Sequence, residues 1–140
     1  MLNYKGFSIP RDISILIRTV YSIMKWTGKV RRHGFNNLVL RLGSTTETSP
    51  ASDSDLVFLK KLHRMLYFFL ERILRHKNPC TIASLSIFDV CERKKIKCTL
   101  VVGVKKDGKN ITGHSWIEVN GTAVNEDKAL LDKFTRMKEV

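Results

Sequence analysis

Cys80 has the setting of a reactive thiol. It follows Asn78-Pro79. Asn is a favoured helix N-cap and Pro suits the first helical position, so Cys80 is predicted to lie in the first turn of a helix. The helix dipole and the free N–H groups of that turn stabilise negative charge, which favours the thiolate form. Because the thiolate is the nucleophilic form of cysteine, Cys80 is the candidate nucleophile.

His114 is the candidate base for this thiol. It lies within Asn110–Val119, a segment whose pattern predicts a β-strand. Side chains alternate along a strand, so His114, Trp116 and Glu118 are predicted to share one face. Trp116 is predicted to lie in the core or to form a wall of the substrate pocket beside the thiol, which it shields from water. Glu118 is predicted to form a structural ion pair, and a substitute triad acid is its alternative role.

A Cys–His pair needs a third group that orients the imidazole and stabilises its cation. The hairpin turn near Asn120-Gly121 determines which acid lies opposite His114. A two-residue turn would put Asp127 there. A three-residue loop, Val119-Asn120-Gly121, would put Glu126 there instead. Both loop lengths are common, so the residues alone leave Glu126 and Asp127 as alternatives.

The elements around these residues predict an α+β domain with N-terminal helices packed on a small antiparallel sheet. We treat residues 1–140 as one domain, with a helical part at 1–42, a polar loop at 43–55 and the Cys–His core at 56–140. The first helix is predicted from about Arg11 to Arg32. Its predicted inward-facing residues are Ile13, Leu16, Ile17, Val20, Ile23 and Met24.

After the helix that contains Cys80, the apolar period changes from 3.6 to 2, which indicates strands. Asp107-Gly108 predicts a hairpin between Cys98–Lys105 and the strand that contains His114. A short strand is expected after Asn120-Gly121. Asp127–Lys138 is then predicted to form a C-terminal helix.

The other thiols and imidazoles have no pattern that indicates chemistry. The three cysteines lack C-x-x-C spacing, which predicts free thiols in a reducing compartment, with no disulfide and no metal site. Cys91 and Cys98 are predicted to be inert. There is no signal-peptide pattern and no apolar run near 20 residues, so we expect a cytoplasmic protein without an integral membrane segment. The histidines predicted to face solvent are His33, His63 and His76.

The charge balance is strongly basic, with 25 Lys and Arg against 13 Asp and Glu, a net charge of +12. Such a balance favours acidic partners. A non-catalytic basic module that binds nucleic acid is therefore one alternative function. The sequence contains no helix-turn-helix and no aromatic-plus-basic RNA motif, so nucleic acid is not an expected partner.

Three features together resemble a known family: Cys80 opening a helix, the segment LVVGVKK, and the segment GHSWIEVNGTAVNED. The chain resembles the leader peptidase of lasso-peptide biosynthesis, a standalone cysteine protease of the transglutaminase-core superfamily, from about Leu56 to the C-terminus. The resemblance implies a transglutaminase- or papain-like fold and a thiol protease without a cofactor. The implied substrate is the leader of a ribosomally synthesised precursor peptide. The implied partners are a separate leader-recognition protein and the lasso cyclase.

The resemblance matches Cys80 to the nucleophile and His114 to the base. The family's acid falls twelve residues after the His, which is Glu126 here, where Asp is more usual. By the register argument this acid requires the three-residue loop, and Asp127 is the alternative acid. An acyl-transfer enzyme on the same fold is the alternative activity. It would need an amine or acyl-CoA site, for which the chain looks too short.

Overall fold

The computed structural model describes residues 13–42 and 48–140. Helix α1 spans Ile13–His33, and a short helix α2, Phe35–Arg41, follows it after Gly34. The predicted start of the first helix at Arg11 lies outside the described residues. Helix α2 was not predicted from the sequence.

Helix α1 buries a different face from the predicted one. Its buried residues are Ile15, Thr19, Ser22, Ile23 and Trp26. Four of the predicted inward residues are exposed instead, namely Ile13, Ile17, Val20 and Met24. The prediction was wrong because it followed apolar residues only. Thr19 Oγ1 donates a hydrogen bond to the Ile15 carbonyl, 2.7 Å away, so this polar residue is buried with a partner.

Two further helices form the centre of the helical layer. Helix α3, Asp53–Tyr67, begins with a capping box between Ser52 and Asp55 and continues as a π-helical stretch, Phe68–Ile73. Helix α4, Pro79–Lys94, is central because every residue from 82 to 88 is buried. None of the described helices is long and apolar enough to cross a membrane.

The sheet has four antiparallel strands in the order β3-β2-β1-β4. The strands are β1 Cys98–Asp107, β2 Asn110–Val119, β3 Thr122–Ala123 and β4 Thr135–Glu139. Leu100 and Ile117 pack with the helices in the main core, whereas Val101 and Trp116 join a smaller cluster on the other face. Helices packed on an antiparallel sheet confirm the predicted α+β class.

The C-terminal segment corrects one prediction. Only Lys128–Leu131 is helical, as a single turn α5, and the chain then forms β4 along the edge of β1. Leu100 and Val140 exchange two backbone hydrogen bonds of 2.9 Å. Without β4, this edge of β1 would leave its backbone groups unpaired. Pairing in the sheet therefore outweighs the local helical periodicity.

Candidate active site

Cys80 is the second residue of α4, directly after Pro79. Asn78 occupies the N-cap position as predicted, but its side chain makes no capping hydrogen bond. The Cys80 carbonyl instead accepts hydrogen bonds from Ser84 Oγ at 2.7 Å and Ser115 Oγ at 3.1 Å. These two hydroxyls also lie 2.8 Å apart, so they connect the first turn of α4 to β2.

His114 links the thiol to a carboxylate. Its Nε2 lies 2.7 Å from Glu126 Oε1, and the two side chains are 20% and 13% exposed. Nδ1 is then the ring nitrogen left for the thiol, and the interaction of the two side chains lowers the pKa of Cys80 and raises that of His114. The structure thus brings Cys80, His114 and Glu126 together in one partly buried cluster.

Glu126 reaches His114 by a different route from the predicted one. Glu118 pairs with Ala123 and Val119 with Thr122, so the loop has two residues, and both Asn120 and Gly121 have positive φ. The predicted three-residue loop is therefore wrong. The parity argument failed because the in-register pairing ends at Val124, whose N–H still donates to the Ile117 carbonyl at 2.9 Å, and the left-handed Asn125 then turns the chain away.

Asn125 is the residue that redirects the chain after β3. It has a left-handed φ of 54°, and its side-chain amide donates to the Lys60 carbonyl on α3, 2.6 Å away. This contact fixes the loop that presents Glu126. Asp127, the alternative acid, points elsewhere: its Oδ1 accepts a hydrogen bond of 3.0 Å from the Ala129 N–H and caps α5. The structure does not bring Asp127 to His114.

Trp116 packs beside the imidazole. The rings of His114 and Trp116 are stacked at 5.7 Å with an interplanar angle of 24°, and Phe134 lies 5.5 Å from His114. Trp116 is 3% exposed, and its Nε1 donates to Glu118 at 3.1 Å. Glu118 also pairs with Arg136, as the predicted structural ion pair requires. Trp116 therefore supports the His114 ring and is not among the residues that line the cleft.

That cleft has a volume of about 640 Å³ and lies between the starts of α2 and α4 and the strands β1 and β2. Its lining residues are Gly34, Phe35, Asn36, Asn37, Asn78, Cys80, Thr81, Val102, Gly113, His114 and Ser115. Cys80 and His114 are both in its wall. A space of this size can bury several residues of a peptide next to the thiol.

The local interactions favour an ion pair of Cys80 and His114. Burial alone would raise the pKa of the Cys80 thiol, but hydrogen bonds from His114 and from the Ser115 backbone outweigh it, so the net pKa is lowered. Burial alone would lower the pKa of His114, but hydrogen bonds with Cys80 and Glu126 raise it to about 9. A thiolate facing an imidazolium is therefore the favoured state near neutral pH.

The sequence analysis missed several residues near this cluster. Ser115 was not predicted as a site residue, although its hydroxyl donates to the Cys80 carbonyl and its backbone helps to lower the pKa of the Cys80 thiol. His63 was predicted to face solvent and is instead mostly buried, with its ring 4.6 Å from Tyr67. Burial and the nearby charge of His114 lower the pKa of His63 to about 4, so it is neutral at pH 7. His76 is also half-buried, and its Nδ1 accepts from the Asn78 N–H.

The remaining cysteines have surroundings unlike those of Cys80. A hydrogen bond with Cys98, followed by burial, raises the pKa of Cys91, so its thiol stays protonated. Cys91 and Cys98 are both free cysteines. Within residues 13–42 and 48–140, no group of three or more His, Cys, Asp or Glu side chains is arranged to hold a metal ion.

A Cys–His pair at the junction of a central helix and an antiparallel sheet is an arrangement of transglutaminase-like domains. The family model described as the transglutaminase-like superfamily matches residues 24–139, and the chain belongs to this superfamily. The superfamily is usually catalytic and includes cysteine peptidases and acyltransferases. No curated protein and no solved structure matched the chain.

Proposed function

We propose that the chain is a cysteine peptidase that removes the leader from a ribosomally synthesised lasso-peptide precursor, together with a separate leader-recognition protein. The observation that supports a thiol hydrolase is the contact chain from Cys80 through His114 to Glu126 beside an open cleft. The narrower proposal, that the chain is a leader peptidase, is supported by the resemblance of residues 100–106 and 113–127 to the leader peptidases of lasso-peptide biosynthesis.

In the proposed reaction, the Cys80 thiolate attacks the scissile carbonyl at the end of the leader. The Sγ–C bond forms, and the developing oxyanion accepts from the Cys80 backbone N–H, which lies in a first turn without intrahelical acceptors. His114 donates its proton to the leaving amine as the C–N bond breaks. Water, deprotonated by His114, then cleaves the thioester and releases the leader's carboxylate and the free thiol.

The test is Cys80→Ala. Precursor cleavage is followed by mass spectrometry with the recognition protein added. We expect cleavage to be abolished while the fold is retained, because the change removes one small side chain from a first turn. Cys98→Ala is the matched control, since it also removes a partly buried free thiol but lies on β1 outside the cleft. Wild-type turnover by Cys80→Ala would exclude a Cys80 peptidase.

An acyl-transfer enzyme would form the same thioester and pass the acyl group to an amine. The same assay distinguishes the two activities when a primary amine is added to the reaction. A peptidase gives the free carboxylate as the main product, whereas an acyltransferase gives the amide. Predominant amide formation at modest amine concentration would favour the acyltransferase.

A further inference from the structure

The active-site cleft adjoins a second cavity. This cavity, of about 250 Å³, is lined by Asn36, Val39, Leu40, Val102 and Met137. Asn36 and Val102 also line the cleft that contains Cys80. Because the two spaces share these two residues, the second cavity lies next to the space beside the thiol.

The second cavity is apolar, apart from Asn36 at its border with the cleft. Leu40 is 69% exposed and Met137 is 65% exposed, whereas Val39 is only 2% exposed and belongs to the main core. The buried Val39 forms a fixed wall, and the exposed Leu40 and Met137 lie around the same concave space. Such a space is suited to binding an apolar group. Single exposed apolar residues are ordinary on protein surfaces, but here they converge on one cavity.

The sheet register sets the distance from this cavity to the catalytic residues. Val102 on β1 pairs with Ser115 on β2 and with Lys138 on β4, next to Met137. Neighbouring strands lie about 4.8 Å apart, so the two steps from β2 to β4 cover about 10 Å. An extended peptide advances about 3.3 Å per residue, so about three residues bridge this distance.

We propose that the four apolar residues of this cavity, Val39, Leu40, Val102 and Met137, form an apolar subsite for the substrate. It binds one large aliphatic or aromatic side chain about three residues from the scissile bond. The occupant is the substrate peptide because the subsite adjoins the cleft that contains Cys80 and His114 and shares Asn36 and Val102 with it. This inference rests on the proposed peptidase function and adds a sequence preference to it.

The first experiment maps cleavage sites. The full chain is incubated with a diverse mixture of synthetic peptides, and the Cys80→Ala chain defines the background. Mass spectrometry then identifies each bond whose cleavage depends on Cys80. We expect Leu, Ile, Met or Phe to be enriched at one position, about two to four residues from the cleaved bond by the spacing above.

The second experiment assigns that preference to the subsite. The best peptide is compared with its analogue that has Ala at the enriched position. In the wild type we expect kcat/KM for the best peptide to exceed that for the Ala analogue by roughly 10- to 200-fold. In the double variant Leu40→Ala/Met137→Ala the ratio falls toward one. Ile17→Ala is the control, because Ile17 is 64% exposed on α1 and lines neither cavity, and it keeps the wild-type ratio.

The outcomes separate this inference from the function on which it rests. Cys80-dependent cleavage without apolar enrichment, or an unchanged ratio in the double variant, overturns the subsite and leaves the peptidase standing. If neither the mixture nor the precursor with the recognition protein shows Cys80-dependent cleavage, the peptidase and the subsite are overturned together, and if only the precursor is cleaved, the subsite is overturned as a site that selects free peptides. Thermal unfolding checks the double variant. If it does not fold, Leu40→Ala alone undergoes the same comparison, and its ratio decides.

Discussion

The two carboxylate oxygens of Glu126 have different surroundings. Oε1 lies 2.7 Å from His114 Nε2, whereas Oε2 is buried without a hydrogen-bond partner among the described residues. A buried carboxylate oxygen without a partner is unfavourable. The imidazolium of His114 is the positive group that offsets this charge. The charged forms of His114 and Glu126 therefore stabilise each other, and removing the Glu126 charge should change the titration of His114.

We expect Glu126→Gln to lower kcat/KM for Cys80-dependent cleavage by roughly 10²- to 10⁴-fold, the usual contribution of an acid–base group. The thiolate–imidazolium pair forms as pH rises through the lowered pKa of Cys80 and is lost as pH rises through the His114 pKa of about 9. Gln keeps an acceptor oxygen but has no charge, so the alkaline limb of the profile shifts to lower pH. The measurement is kcat/KM across a pH range that spans both pKa values.

Asp127→Asn is the matched control for this change. Asp127 caps α5 through the Ala129 N–H, and Asn is an equally good N-cap, so the variant should keep the rate and the alkaline limb of the wild type. If Asp127→Asn lost activity and Glu126→Gln did not, Glu126 would not be the residue that orients His114.

At the residue scale, the sequence could predict a site residue only where the type of its side chain indicates its role. Cys80 and His114 have side chains whose chemistry and positions indicate a site. A backbone N–H exists in every residue except proline, so no residue type signals the effect of the Ser115 backbone on the thiol. His63 lies in a basic stretch, and only the packing of α3 beside the Glu126 loop shows that it is buried.

At the scale of elements, local signals predicted local structure. Asp107-Gly108 indicated the hairpin of β1 and β2, and Asp107 does pair with Asn110 across it. The left-handed turn of Asn125 and the pairing of β4 with β1 depend on contacts with distant segments. A periodicity argument contains no information on such contacts. This explains why Glu126 was selected with the wrong loop length and why β4 was predicted as a helix.

Gly103 lies opposite His114 in the β1–β2 pair. A Cβ at this position would lie 3.0 Å from Phe134 Cβ and 3.1 Å from two ring atoms of Trp116. We expect Gly103→Ala to destabilise the fold by roughly 1–3 kcal/mol, the usual cost of overpacking. It should also lower kcat/KM, because both displaced rings lie beside His114. Urea unfolding and steady-state kinetics measure the two effects.

Gly28→Ala provides the comparison for stability. Gly28 lies within α1, and a Cβ there would have no neighbour within 4 Å. Alanine at a helical position should therefore stabilise the fold by about 0.5–1 kcal/mol. A Gly103→Ala chain as stable as the wild type would mean that Phe134 and Trp116 move without cost, and that their packing does not fix the His114 ring.

At the scale of the whole molecule, the excess positive charge lies outside the described lining of the cleft. The net charge is +12, yet none of the described residues that line the cleft is Lys or Arg. Arg31 and Arg32 are exposed at the end of α1, and Arg93 is exposed at the end of α4. Arg31 and Arg32 lie just before Gly34 and Phe35 of the cleft lining, so this charge is suited to binding an acidic surface of a partner or of a leader beside the cleft.

This separation leads to a prediction about the leader-recognition protein. The chain alone should process the precursor slowly at sub-saturating concentration, and the recognition protein should accelerate it by holding the leader near Cys80. Raising the salt concentration should weaken that acceleration, because charges exposed to solvent are screened.

Initial rates with and without the partner, at low and high salt, measure both effects. A short uncharged peptide is the control substrate, and its cleavage should be nearly independent of salt because it has no charge of its own and none of the described cleft-lining residues is Lys or Arg. Equal rates with and without the partner would mean that the chain recognises the leader by itself, and a salt effect of equal size on both substrates would place the decisive charges at the cleft.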